Sequence, residues 1–128
     1  MVSGLAAAEK AARRAIESTY TGVCTILERR DVRDEKTKIT RKNEEVPVVE
    51  NQPCKLFFEK LNAVVQTEMA AKQTQGTKLF IAPEIRVKSG SKIIVEQNGV
   101  TTEYCASGEA AVYLSHAEIM LELFRGWA

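Results

Sequence analysis

The dipeptide Asn98-Gly99 constrains this chain more than any other pair of residues. A two-residue hairpin turn of type I′ needs positive φ at both central positions, and Asn followed by Gly tolerates that best. The runs on either side, within Gly90 to Ala106, are rich in β-branched and aromatic residues. The turn sets the register: Gln97 faces Val100, Val95 faces Thr102, and Ile93 faces Tyr104. Strand side chains alternate between faces, so Ile93, Val95, Thr102 and Tyr104 share one side. That side is expected to face a core. Ile94, Glu96, Thr101 and Glu103 take the more polar side.

The chain has 128 residues, which suits a single domain spanning 1–128, with a helix within 1–19 and a β-domain over 20–128. A chain this long can bury a core without a disulfide or metal staple. Eighteen basic residues oppose seventeen acidic ones, a net charge of +1. That balance argues against a dedicated nucleic-acid binder, whose footprint is usually basic. Cys24, Cys54 and Cys105 form no close-spaced pair and sit in apolar runs, so they read as small buried hydrophobes. The start of the chain lacks the basic-then-apolar build of a signal peptide, and no run approaches a membrane span.

Leu5, Ala8, Ala12, Ala15 and Ile16 recur at helical spacing over 4–18, with Ser3 as a candidate N-cap. The apolar stripe is thin and suits docking on a barrel end or a neighbouring subunit. Residues 20–30 read as a strand. From Glu28 to Glu45 there are thirteen charges in eighteen residues, with a turn expected at Asp34-Glu35-Lys36. The plain reading is a solvated hairpin or loop. The sharper one is a basic loop facing a polyanion through Lys36, Lys38, Arg41 and Lys42.

Pro47 and Pro53 split 46–58 into two expected strand pieces, at sheet edges or strand starts, because proline removes a ladder donor. The tract that follows is polar, long and without aromatic residues. It reads as a candidate functional loop over 61–76, with Leu61, Val64, Val65 and Gln66 in its first half and Met69, Lys72, Gln73 and Gln75 in its second. Residues 77–88 return to β, with Ile85 and Val87 alternating against Arg86 and Lys88. Ser107-Gly108-Glu109 reads as a break. Ser115 to Phe124 places Ile119, Leu121 and Leu123 on one face of a strand, and Ala117, Met120, Leu121 and Phe124 would also fit a helix; the strand is preferred because it would close a small barrel. The fold expected is mainly β: a small antiparallel barrel or sandwich of about six to seven short strands, with a short N-terminal helix and one long polar loop.

No catalytic constellation is visible. His116 stands alone, beside Glu118 but without a second His or a Cys nearby, and no phosphate-cradling glycine motif is present. No catalytic, cofactor-binding or metal residue is assigned. Phe57, Phe58, Phe80 and Tyr104 could stack bases on an oligonucleotide-binding barrel, although core packing is the expected use at strand spacing.

Three stretches carry a resemblance. They are Lys78 to Val95 (KLFIAPEIRVKSGSKIIV), Gln97 to Tyr104 (QNGVTTEY) and Ala111 to Phe124 (AVYLSHAEIMLELF). Together they resemble the head-closure, or head–tail joining (connector), proteins of tailed bacteriophages. In that family a Pro-x-Ile … Gly-x-x-Ile segment precedes a hairpin, matched here by Pro83, Ile85, Gly90 and Ile93. A final strand rich in His-x-Glu follows, matched by His116 and Glu118.

The resemblance implies a non-enzymatic virion protein of the head–tail interface, made in the bacterial host cytoplasm. Its subunits would form a homo-oligomeric ring, with a portal or adaptor above and a tail terminator or tail tube below. Packaged double-stranded DNA would pass through the channel, the 61–76 loop would project into it, and no cofactor or membrane would be involved. The alternatives are another neck component, such as an adaptor or tail terminator, and an oligonucleotide-binding β-barrel module.

Overall fold

A computed structural model describes residues 4–60 and 75–127 of the chain. Helix α1 spans Gly4–Glu17. Six strands follow: β1 Gly22–Arg33, β2 Thr40–Lys60, β3 Gln75–Ile81, β4 Lys92–Gln97, β5 Val100–Val112 and β6 Ala117–Leu123. They close into an antiparallel barrel in the order β1-β2-β3-β6-β5-β4. Two three-stranded meanders, β1–β3 and β4–β6, therefore meet at two seams, β1 with β4 and β3 with β6.

The Asn98-Gly99 turn has φ of 54° and 78°, the left-handed values that a type I′ turn requires. The expected register holds: Gln97 pairs with Val100, Val95 with Thr102 and Ile93 with Tyr104. Ile93, Val95 and Tyr104 are buried, and Thr102 is partly covered.

Each strand sends alternate side chains inward, as a closed barrel demands. Cys24 and Ile26 come from β1, Cys54 and Leu56 from β2, Leu79 and Ile81 from β3, and Ile93 and Val95 from β4. Tyr104 and Ala106 from β5 and Ala117, Ile119 and Leu121 from β6 complete the core. Cys24 and Cys54 are packing residues. The hydrogen bond to Cys54, together with burial, pushes the Cys24 thiol well above its ordinary pKa. Cys105 is partly covered.

Several expectations need correction. The strands are not uniformly short: β2 runs unbroken through both prolines for 21 residues. At Pro47 and Pro53 it pairs with β1 alone, since β3 joins it only from Cys54 onward, so no second ladder requires the missing donor. The 61–76 boundary also shifts, because Gln75 and Gly76 belong to β3, opposite Lys60 and Glu59. The remaining candidate loop positions, Leu61, Val64, Val65, Gln66, Met69, Lys72 and Gln73, lie outside the described residues.

Residues 82–91 form turns and irregular chain rather than a strand. Ile85 and Val87 still pack on the core, which is why they alternate. Ser107-Gly108-Glu109 is not a break but a bulge: Ser107–Ala111 on β5 faces Met120–Glu118 on β6, and Gly108 takes φ 75°. Leu123 leaves the apolar face of β6 and is exposed.

One side chain completes the ladder where β1 begins. Beyond Cys54, the edge of β2 that faced β1 has no strand beside it. The Gln97 amide fills the gap: its Oε1 accepts from the Leu56 N–H at 2.8 Å, and its Nε2 donates to the Leu56 carbonyl at 3.4 Å. Gly22 makes room, because a Cβ there would come within 3.0 Å of Gln97 Oε1. Gln97→Ala leaves the Leu56 backbone pair unsatisfied in a partly buried place and is expected to cost about 1–3 kcal/mol, read from the urea midpoint. Gly22→Ala crowds the same oxygen, so the two substitutions together are expected to cost less than their sum.

Candidate functional site

The interior is filled, so chemistry that faces a partner must sit outside the barrel. Three exterior features stand out: a charged ribbon, an aromatic stack and a latched helix.

The ribbon is the continuation of β1 and β2 past the barrel. β1 pairs with β4 only from Val23 to Leu27, yet stays paired with β2 to Arg33. The charged stretch 28–45 is thus a hairpin, as its plain reading expected. Its turn is tied by Asp34, whose backbone pairs with Ile39 and Lys38 and whose carboxylate accepts from the Lys36 and Thr37 N–H groups. Those donors hold the Asp34 carboxyl below its usual pKa. Lys36, Lys38, Arg41 and Lys42 are all exposed at or near the tip.

The ribbon is bulged and braced. The intervals Cys24–Ile26, Ile26–Leu27 and Arg30–Val32 face Gln52–Val49, Val49–Pro47 and Glu44–Arg41, so each holds one extra residue on β2. Asn51 and Asn43 take positive φ (52° and 56°) within two of these intervals. At the outer one, the Asn43 N–H donates to Asp31 and its carbonyl accepts from Arg29 Nε.

At the root, Lys92 bridges Glu45 (3.0 Å) and Glu103 (3.4 Å) and lies over the Phe124 ring at 4.6 Å. The Glu45 hydrogen bond is the main reason its ammonium is held above its ordinary pKa. Arg29 stands over Trp127 at 5.7 Å, and Trp127 meets Phe124 edge-on at 5.5 Å. The end of the described chain therefore clamps the ribbon to the barrel.

The aromatic stack crosses the outer face of β2, β3 and the β5–β6 turn. Phe57 and Phe80 stack with centroids 6.0 Å apart, Phe80 and His116 at 4.8 Å, and His116 and Tyr113 at 5.0 Å. The turn sets the last pair, because the Tyr113 N–H donates to the His116 carbonyl at 2.8 Å.

His116 keeps Glu118 beside it, as in the sequence, and both of its ring nitrogens find partners. Its Nδ1 meets Ser115 Oγ and its Nε2 meets Glu118 Oε2, each at 2.9 Å, and Glu118 also lies 3.6 Å from Lys78. This chain of contacts fixes the plane of the imidazole between two rings. Core packing describes Tyr104, which is buried, but not Phe57 and Phe80, which alternate outward from Leu56 and Leu79, nor Phe58, which follows the inward side of β2 past the buried core and is exposed. Beside the stack, a shallow cleft of about 420 Å³ lies between α1 and the turn, lined by Glu9, Ala12, Val112, Tyr113, Leu114 and Ser115.

Helix α1 forms where its spacing predicts, but none of its residues is buried. Arg13 holds it with a two-pronged hydrogen bond to Glu84 in the 82–91 connection and also bonds Glu17 at 3.0 Å. Where it joins β1, the Tyr20 hydroxyl is buried, and burial pushes its pKa up to about 12.

Among the described residues, no group of acids, histidines or cysteines is placed to hold a metal, and no helix is long and apolar enough to cross a membrane.

The Arg13–Glu84 latch generates a pH prediction. Arg13 holds the Glu84 carboxyl below its ordinary value of 4.5. A lowered carboxyl pKa contributes stability that is full above the unfolded value and is lost as pH falls through the folded one. Amide exchange over 4–17 should therefore speed up relative to the barrel strands as pH drops below about 4.5, once the intrinsic exchange rate is divided out. Arg13→Ala should give the same loosening at neutral pH and leave the strands protected.

No protein-family model matches the sequence, and no curated protein matches it. Among solved structures, the phage-like element PBSX protein xkdH from Bacillus subtilis is similar to this chain at 10% sequence identity, covering 79% of this chain and 91% of that one, with a TM-score of 0.45.

Proposed function

We propose that this chain is a non-enzymatic structural subunit of a tailed-phage neck. Copies form a ring between the portal or adaptor and the tail terminator or tail tube. The ring closes the filled head, retains the packaged DNA and offers the tail its attachment surface. The finer choice, head closure rather than adaptor or terminator, follows the resemblance in 78–124.

One observation carries the reading. The barrel closes on its own core and still leaves two elements with no interior to fill: α1, without a buried residue, and the ribbon beyond Leu27. A chain that keeps such elements has a use for them on another molecule. Exposed Phe57, Phe58, Tyr113 and Leu114 extend the same argument to the sheet exterior.

Deleting the gene should yield filled heads that leak DNA and carry no tails, seen by electron microscopy and nuclease sensitivity. Heads that still join tails and hold their DNA would end the reading.

The aromatic stack favours the rival, an oligonucleotide-binding module, only superficially. Its inner rings, Phe80 and His116, are each stacked against two neighbours, which leaves a base the outer faces of Phe57 and Tyr113, whereas base stacking needs open faces. A fluorescent single strand titrated with the purified chain at low salt should give a flat curve. Saturable, salt-sensitive binding that Phe57→Ala abolishes would replace the neck reading with the rival.

A further inference from the structure

The ribbon tip presents cations that its own molecule does not use. Near the root, charges are paired: Arg30 and Lys88 with Glu28, and Lys92 with Glu45 and Glu103. Toward the tip, Arg33, Lys36, Lys38 and Lys42 are exposed and form no ion pair among the described residues, while Arg41 reaches Glu44 at 3.7 Å. Six residues of β1, Glu28 to Arg33, extend past Leu27, the last to touch β4. At roughly 3.3 Å per residue the tip stands about 20 Å beyond the barrel. The clamp of Arg29 on Trp127 and of Lys92 on Phe124 fixes its root.

The same chain carries a surface of opposite sign. Glu96, Glu103 and Glu122 are exposed on the outer face of β4, β5 and β6, next to inward-facing Val95, Tyr104 and Leu121. In the ladders, Glu96 pairs with Thr101, Ile94 with Glu103 and Cys105 with Glu122, so the carboxylates form a diagonal row across three strands. Neighbours on such diagonals stand roughly 7–8 Å apart. Lys92 serves Glu103 alone among them, and Glu96 and Glu122 have no ion pair among the described residues. A row of like charges on a sheet face is relieved by a partner that brings cations in a row, and an extended strand does so.

We propose that the ribbon tip of one copy lies across the β4–β5–β6 face of the next, with Lys36, Lys38 and Lys42 against Glu96, Glu103 and Glu122. A tip held about 20 Å from its own barrel meets that face on a second molecule. The contact joins two different surfaces, so it repeats head to tail and closes into a ring when the rotation closes. The inference rests on the ring reading and supplies its subunit contact. A second copy suits the ribbon better than nucleic acid does. Over 28–45, seven cations are interspersed with six acids, whereas a phosphate-gripping surface presents cations without opposing acids. Single exposed ion pairs are weak, so the contact is salt-sensitive and gains strength from ring closure.

The test uses a mixture of heavy-isotope-labelled and unlabelled full-length chain, concentrated at low ionic strength. A carbodiimide then joins lysine amines to carboxylates in contact. Mass spectrometry should find mixed-isotope cross-links from Lys36, Lys38 or Lys42 to Glu96, Glu103 or Glu122, and high salt should remove them. The triple reversal K36E/K38E/K42E and the double reversal E96K/E122K should each lower the yield of mixed-isotope dimer by about tenfold. A chain carrying both sets should recover it, which separates lost contact from lost fold.

Absence of mixed-isotope cross-links, links confined to other residues, or reversals that change nothing would each overturn the proposal. So would failure of the combined chain to recover. Retention of duplex DNA by the ribbon lysines, without cross-links, would reassign the ribbon to nucleic acid. Copies joined elsewhere would end the ribbon contact and leave the neck reading standing. The neck reading falls separately, on gene-deleted heads that keep DNA and tails.

Discussion

The structure depends on two seams. Each meander alone is a three-stranded sheet with one apolar face and two open edges. Pairing β1 with β4 and β3 with β6 removes those edges and encloses the apolar faces. The seams are made by inward residues that sit opposite one another: Cys24 with Val95 and Ile26 with Ile93 at one, Leu79 with Ile119 and Ile81 with Ala117 at the other. All eight are essentially inaccessible to solvent. Pairing and burial thus reinforce each other, and a register slip at either seam would turn an apolar row outward. Gln97 extends the same logic past the end of β1, lending a side-chain amide where the backbone partner runs out.

The ribbon follows different rules because it has no core. Two strands in water are marginal unless something else holds them. Here the support is local. Bulges increase the twist, and Asp31 and Arg29 satisfy the backbone of Asn43, which the extra residue would otherwise leave unpaired. Trp127 and Phe124 cover the root from the end of the described chain. The dense charge also protects the open edges from pairing with stray strands. A charged run in this position serves the fold before it serves any partner.

Legibility in the sequence follows from how local each interaction is. The Asn98-Gly99 turn and its register depend on neighbours in the chain, and they read correctly. The alternation of β6 was also visible, up to Leu123. At β2 the expected edge position of the prolines agrees with the single ladder they share with β1, while the expected split into two pieces does not, because an edge proline leaves the strand unbroken. Ile85 and Val87 show the converse. Period-two alternation reports which side chains face the core, and here it does so without a strand, since both adjoining sheet edges are already taken. The aromatic stack draws Phe57, Phe80 and the Tyr113–His116 turn from three separate segments. Part of its signal was nonetheless present. If Leu56 and Leu79 face inward, Phe57 and Phe80 must face outward. The Arg13–Glu84 latch joins residues 71 positions apart, and nothing local in the sequence announces it.

The filled interior also limits where function can reside. Thirteen buried apolar side chains occupy the barrel, so it is a packed core with no passage through it. In the proposed ring, the conduit would lie between copies rather than through one. That requirement shifts the burden from the core to the exterior, where this chain concentrates its unusual features: a helix held by one latch, a ribbon rooted on two aromatic residues, and a row of carboxylates on three strands. A rigid barrel suits such a role because it holds all three at fixed relative positions. In the proposed ring, precision at the subunit contact would come from the seams, and sensitivity to salt from the surface charge.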